Sequence, residues 1–531
     1  MYKGKKFKFK KIYLHPITTY ILLCIVVVIL SGILSLLDFQ TTYNIVDSSS
    51  MQLTQVSETV VNLFSFDGLK YIVSNATRNF MSFTPLSMYL VAAIGLAVCE
   101  ASGFLDVLFK KIFSKLNNKV ITFLIIFLAT FSSLINEIGY VILIPLAAII
   151  FKAKKRNPMA GVCAAFAGVA FGYGTSLFIG SLEVSLIPYT TTAARLLDST
   201  YHVSLLSNLF IMIASTFVLS IVGTVVIENV IVPGLVRYRE KKSLDETTEL
   251  EIIDDLDEEQ SALSNDYKER RGFRWASITG IIFILLFIYS VIPGLPFSGL
   301  LLDIGEDTYL KQIFGDNSYF QDGFSFMISL LFLLCGLAYG FGSKKFRNDK
   351  DVIESTNSSI KQIGNMMLLL FVASQFIAIL KRTNIGTVVT GILANALSSF
   401  SFGGIPFLII AVILIAISDL ILTGAQAKWI IFAPVMVPVL MKTNISPQFA
   451  QFVLRATDSM TNGITPVYAF FVFLVGYLNI YNMRSEHPVT IGEAIRLMMP
   501  YFVIISVTWL LLLIGWYIIG LPIGPGVYPT V

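Results

Sequence analysis

Apolar runs long enough to cross a bilayer recur along this chain between residues 17 and 520, parted by short polar breaks. A span needs ~20 mostly apolar residues at ~1.5 Å rise each. The pattern predicts spans at about 17–37, 86–105, 158–180, 205–232, 276–292, 324–341, 360–380, 448–477 and 501–519. A polar segment, 38–84, reads as a loop on the outer side.

Two further apolar stretches behave differently. The stretch 120–151 follows Lys110, Lys111, Lys115 and Lys119 and ends at Lys152, Lys154, Lys155 and Arg156. Basic residues collect on the cytoplasmic side, so both ends of this stretch belong there. Each half has ~16 residues and would reach ~24 Å, short of the ~30 Å hydrocarbon core. The stretch therefore predicts a helical hairpin that enters and returns, with its tip in FSSLINEIGY, 131–140. A second such stretch, 405–441, has its tip at SDLILTGAQAKW and sparsely charged flanks, which places its entry on the opposite side.

Each hairpin is followed by a proline, Pro158 or Pro447, and then by a helix with a polar, Gly-rich interruption, GVAFGYGTS or RATDSMTNGITP. The offsets from hairpin tip to interruption agree: Asn136 to Thr175 is 175 − 136 = 39, and Gly424 to Gly463 is 463 − 424 = 39. The predicted fold is an all-α polytopic membrane protein of about nine transmembrane helices plus two re-entrant helical hairpins in an inverted-topology repeat. Its parts are an N-terminal half (1–236), an acidic cytoplasmic linker (237–275, with EIIDDLDEE) and a C-terminal half (276–531). Inverted repeats with broken helices place substrate and coupling ions near the midplane.

Composition sharpens this reading. The chain is 55% hydrophobic and 14% charged, with a mean hydropathy of +0.76, which excludes a water-soluble domain. The net charge of +4 sits mainly in loops and sets orientation rather than nucleic-acid binding. The lysines of MYKGKKFKFKK place the N-terminus in the cytoplasm, and the span count then places the C-terminus outside. Cys24, Cys99, Cys163 and Cys335 lie in apolar stretches without metal or disulfide spacing. With His15, His202 and His487 all at loop positions, the chain lacks the base or metal set of an intramembrane enzyme. A channel would advertise a filter loop or charge ring, and neither is visible.

Ionisable groups at membrane depth are functional candidates because burying them costs ~2.5–3.5 kcal/mol on insertion scales. Asp419 and Asp458 are 458 − 419 = 39 apart, the repeat offset again. With the hydroxyls of Ser459, Thr461 and Thr465 and freed carbonyls they suit a Na⁺ site, or one of them a coupling proton. Arg455 reads either as an i, i+3 ion pair with Asp458 or as a bidentate grip on a substrate carboxylate. Lys428 and Trp429 read as binders of an aromatic anion or as interfacial anchors. The first repeat offers Asn136, Glu137, Thr175, Ser176 and Glu183, the last near the outer end, where solvation is the alternative. Glu100 and Glu228 lie near cytoplasmic ends and suit solvated or inter-helix roles.

The segments INEIGYVILIPLAAIIF, AAFAGVAFGYGTSLFIGSLE, IKQIGNMMLLLFVASQFIAI, GAQAKWIIFAPVMVPVLM and RATDSMTNGITPVYAFF resemble, in order and over most of the chain, the signature segments of the AbgT (p-aminobenzoyl-glutamate) transporter family. The resemblance implies a homodimer in the cell inner membrane, coupled to Na⁺ or the proton-motive force and needing no other cofactor. It implies a small aromatic carboxylate as cargo: import of p-aminobenzoyl-glutamate, or efflux of p-aminobenzoate-like antimetabolites such as sulfonamides. A dicarboxylate or amino-acid carrier is the further alternative. By motif, the family's cation positions fall on Asp419 and Asp458, and its substrate pathway on Glu183, Gln426, Trp429, Pro447, Arg455, Asp458 and Pro466. Three positions and the first hairpin tip depart from the usual pattern. Glu183 replaces Asp, Gln426 replaces Ser, Asp419 replaces Asn, and the tip NEIGY replaces S-D-A-G-Y.

Overall fold

The computed structural model describes residues 14–47, 50–134, 137–235, 262–315, 317–400, 402–482 and 487–531. Asn136, the lysine-rich start, Asp316, the acidic run of the linker and most of the NMRSEHP loop lie outside the described residues.

The chain opens with α1 (Pro16–Leu36), a two-stranded antiparallel hairpin β1 (Gln40–Val46) and β2 (Leu53–Thr59), then α2 (Phe66–Met81), α3 (Thr84–Ser102) and α4 (Phe104–Phe113). The first helical hairpin is α5 (Asn118–Phe131) and α6 (Ile138–Ala153), followed by α7 (Pro158–Phe171), α8 (Ser181–Ala194) and α9 (Leu209–Val226). Next come α10 (Ala262–Ser290), which starts within the segment 237–275 expected to be linker, α11 (Tyr309–Phe314), α12 (Tyr319–Gly342), α13 (Asp349–Arg382) and α14 (Ile385–Ser398). The second hairpin is α15 (Gly404–Asp419) and α16 (Ala425–Lys442), followed by α17 (Pro447–Thr461), α18 (Phe471–Ile480) and α19 (Ile491–Ile519).

Eight helices are long and apolar enough to cross a membrane, or up to nine if the pair α4 and α5, bent by 117°, counts as one span. All of the eight except Ala425–Lys442, an arm of the second hairpin, overlap predicted continuous spans, although Phe66–Ser102 takes in α2 from the segment expected to be a loop. The two remaining predicted spans are the broken helices, whose pieces are too short alone. The first ends at Phe171 and restarts at Ser181, so its second piece, α8, continues well beyond the expected limit at residue 180.

Burial sorts these helices by environment. α1 and α10 expose Ile21, Ile25, Ile29 and Ile33, and Ile278, Ile281, Ile282 and Leu285. Apolar side chains on an outer surface are what a lipid-facing helix presents. In contrast, every residue of α17 is buried, and so are Met159–Phe171 of α7. Apart from exposed Phe178, the interruptions at 172–180 and 462–470 lie largely inside protein, where irregular backbone is tolerated at membrane depth. Local chemistry starts both helices: Asn157 and Ser446 cap them through side-chain oxygens, and Pro158 and Pro447 occupy the first turn, where a missing N–H costs nothing.

Two elements differ from the sequence pattern. The segment expected to be an outer loop folds into the β-hairpin and α2. β-branched Thr41, Thr42, Ile45 and Val46 favour extended backbone, and their alternation with polar residues hid the strand. β1 packs on α14 and α16 of the other half. The Asn395 amide donates to the Thr42 carbonyl at 2.9 Å, and the Asn384 amide donates to Glu58 at 3.1 Å. α14 escaped notice because its 14 residues are too short for a span.

At the base of the first hairpin, Arg156 ties several elements together. It pairs with Glu228 at 2.6 Å, donates to Thr122 Oγ1 at 3.0 Å and stacks over Phe151 at 4.0 Å. Glu228 sits in a π-helical turn, Ile227–Ile231, that continues α9, which is the inter-helix role its position suggested. Cys99, Cys163 and Cys335 are buried, and Cys24 is half-buried.

Candidate substrate and cation site

Both hairpin tips reach the interruption of the helix that follows. Ser133 donates to the Thr175 carbonyl in the first repeat, and Thr465 donates to the Leu420 carbonyl at 3.1 Å in the second. The first interruption also meets the end of α17: the Gly174 N–H donates to Ser459 Oγ at 2.5 Å, and Ser459 donates on to the Arg455 carbonyl at 2.8 Å. A Cβ at Gly174 would stand 2.7 Å from both the Arg455 carbonyl oxygen and Ser459 Oγ, so glycine is required by the close approach. Gly174→Val is expected to force these backbones apart and cost ~1–3 kcal/mol of stability, as overpacking does. Thermal unfolding of the purified variant checks this; an unchanged melting temperature would mean the contact yields freely.

Around this crossing lie five buried ionisable groups: Glu183, Asp419, Lys428, Arg455 and Asp458, none more than 3% exposed. The Lys428 ammonium bonds both Asp419 and Asp458. Thr461 donates to the other oxygen of Asp419, and the Asn462 amide donates to that of Asp458 at 3.2 Å. Arg455 pairs with Glu183 across from α17 to α8, and its Nη1 lies 3.4 Å from Met212 Sδ. Glu183 also accepts the Gly180 N–H at 2.8 Å, closing the start of α8. A third contact sits one turn back along α17: Trp429 Nε1 donates to Thr190 Oγ1 at 2.8 Å, and Thr190 donates to Gln451 Oε1 at 2.6 Å.

The structure decides several of the alternatives that the sequence left open. Arg455 pairs with Glu183 rather than with Asp458, whose carboxylate is taken by Lys428. Glu183 is buried, not solvated, and Lys428 and Trp429 are fully buried, not interfacial anchors. Asp419 and Asp458 do come together, around an ammonium. Among the described residues no group of three His, Cys, Asp or Glu side chains is arranged to hold a metal ion. Hydroxyl and carbonyl oxygens would have to complete a Na⁺ site. Thr175 and Ser176 are buried in the first interruption, and Pro466 is half-buried in the second.

Two expected residues stand apart. Gln426 is exposed and donates to the Tyr189 hydroxyl at 3.1 Å, and Pro447 starts α17 eleven positions before Asp458, ~16 Å along the axis. Sequence reading missed Thr190, Gln451 and Asn462. The spacing 451, 455, 458, 462 puts their helix's polar residues on one face and was the available signal.

A polytopic helical bundle whose two hairpin tips and two broken helices converge on a buried charged cluster defines a membrane carrier. The chain belongs to the AbgT putative transporter family, which it matches over residues 10–531. It is 31% identical over 515 residues to the p-aminobenzoyl-glutamate transport protein of Escherichia coli (strain K12), covering 97% of this chain and 94% of that one. Two solved transporters are each 30% identical to it, with TM-scores of 0.47. They are YdaH of Alcanivorax borkumensis, covering 96% of this chain and all of that one, and MtrF of Neisseria gonorrhoeae, covering 97% and 98%.

Proposed function

We propose that this protein is a cation-coupled secondary transporter of p-aminobenzoyl-glutamate or a related aromatic carboxylate, working as a homodimer in the cell inner membrane with its N-terminus in the cytoplasm. The E. coli relative supports the cargo. The observation that carries the coupling is the charge of the site. Arg455 and Lys428 supply two positive charges against three carboxylates, Glu183, Asp419 and Asp458, so the buried set carries 2 − 3 = −1 when all are ionised. Half-buried Glu137 at the first hairpin tip adds to the negative side. A carboxylated cargo would deepen this imbalance. Burying uncompensated charge costs several kcal/mol per ion, so cations, Na⁺ or H⁺, have to enter with the anion. Direction then follows the gradients and the conformations that each load stabilises.

Uptake of radiolabelled p-aminobenzoyl-glutamate into proteoliposomes under an inward Na⁺ gradient, a proton gradient or neither tests this reading. Gradient-dependent accumulation is expected. Faster exit of preloaded p-aminobenzoate or sulfonamide without such accumulation would favour efflux, and movement of neither would remove this cargo class. The charge count also predicts that Asp419→Asn lowers the number of cations moved per cargo by about one while transport persists. Reversal potentials measured in the same vesicles read that number; an unchanged ratio would take Asp419 out of the coupling.

A further inference from the structure

α17 and its C-terminal cap present Gln451, Arg455, Asp458 and Asn462 on one face, and the charge pairing described above uses only the last three. Gln451 is fully buried, one helical turn before Arg455. Its Oε1 accepts from Thr190, which is itself held by the Trp429 indole N–H, so the amide is fixed between α8 and α16. Its Nε2 has no hydrogen-bond partner among the described residues, and neither has Arg455 Nε. A buried donor left unpaired costs ~1–3 kcal/mol, and an amide anchored at one end is a poor place to carry that cost without a use. Residues four apart on a helix are neighbours, ~6 Å along the axis, so the two free N–H groups form a pair of donors on one line.

We propose that Gln451 Nε2 is a second substrate-recognition donor, which binds an acceptor oxygen ~6 Å from the carboxylate held at Arg455, and that it selects cargo bearing an aminoacyl tail over simple aromatic acids. This deepens the function proposed above and rests on it. p-Aminobenzoyl-glutamate carries an amide carbonyl and two carboxylates, enough acceptors for both donors. p-Aminobenzoate has a single carboxylate, which Arg455 alone can satisfy. Trp429 is joined to the same amide through Thr190 and is the aromatic side chain of this network.

The test measures binding of p-aminobenzoyl-glutamate and of p-aminobenzoate to purified wild type, Gln451→Leu and Gln451→Asn, with melting temperature recorded for each. Gln451→Leu is expected to weaken p-aminobenzoyl-glutamate about tenfold or more, as loss of a hydrogen bond to a polar or charged acceptor does, and to leave p-aminobenzoate within about twofold. Gln451→Asn keeps the amide but withdraws it by one methylene, so it should lose in the same direction if the leucine variant does not fold. Equal losses for both compounds, or none, in a folded variant would overturn the role of Gln451 while leaving the cargo reading in place. Wild type that binds neither compound would remove the cargo reading, and this inference with it.

Discussion

Lys428→Met is expected to destabilise the protein by ~3–5 kcal/mol and to abolish transport, because it strips the shared ammonium from two buried carboxylates. The side chain it removes is fully buried and bonded to both Asp419 and Asp458. Methionine fills similar space, so the loss would report charge more than packing. A double-mutant cycle separates the two. Adding Asp419→Asn to Lys428→Met removes one charge of each sign and is expected to restore most of the stability, seen as recovery of the melting temperature in detergent. If the double variant is as unstable as the single one, Lys428 is a packing residue and the charge account of the site fails.

Asp458→Asn is expected to reduce gradient-driven accumulation by at least about a hundredfold while leaving the protein folded. Asp458 stands in the last turn of α17, and its backbone carbonyl accepts the Asn462 N–H at 3.3 Å, the bond on which that helix ends. Its carboxylate joins Lys428 on the hairpin arm to Asn462 at the interruption. Asparagine keeps an acceptor for Lys428 and can donate to the free Oδ1 of Asn462 once that amide turns over, but it loses the charge, so cation loading would no longer be felt where the helix breaks. Counterflow, which needs binding but no driving gradient, should survive better than accumulation. Equal loss of both would point to a damaged fold instead, and wild-type accumulation would end the proposed role of Asp458.

Much of this architecture was legible from pattern alone. The first hairpin could be read because its arms are too short to span and because Lys119 and Lys152 flank them with like charge; the second could be read from its polar tip and sparsely charged flanks, although its arm Ala425–Lys442 is long enough to cross. The interruptions could be read because Gly172 and Gly174, or Thr461 to Pro466, break an otherwise apolar run. The β-hairpin was not legible, since polar strands with alternating threonines look like a loop until their partner is known. Within the site, the residue types were visible but their partners were not. Arg455 and Asp458 are neighbours by helical spacing, yet each finds a stronger partner on another helix, Glu183 and Lys428. Pairing of this kind is settled by which helices pack together, which local spacing does not encode. The part played by Gln451 was hidden for the same reason: its significance lies in Thr190 and Trp429, 261 and 22 positions away.

The strand pair β1 and β2 belongs by sequence to the first half but packs on α14 and α16 of the second, and it is the only sheet among the described residues. The first helical hairpin has no such brace among them. In an ideal inverted repeat, opening toward one side of the membrane is related to opening toward the other by a two-fold axis in the membrane plane, and the two motions cost the same. Here one hairpin carries a strap drawn from the opposite half and the other carries none among the described residues. Such a one-sided brace would make the inward-opening and outward-opening halves of a transport cycle unequal in energy before any cargo or ion is bound.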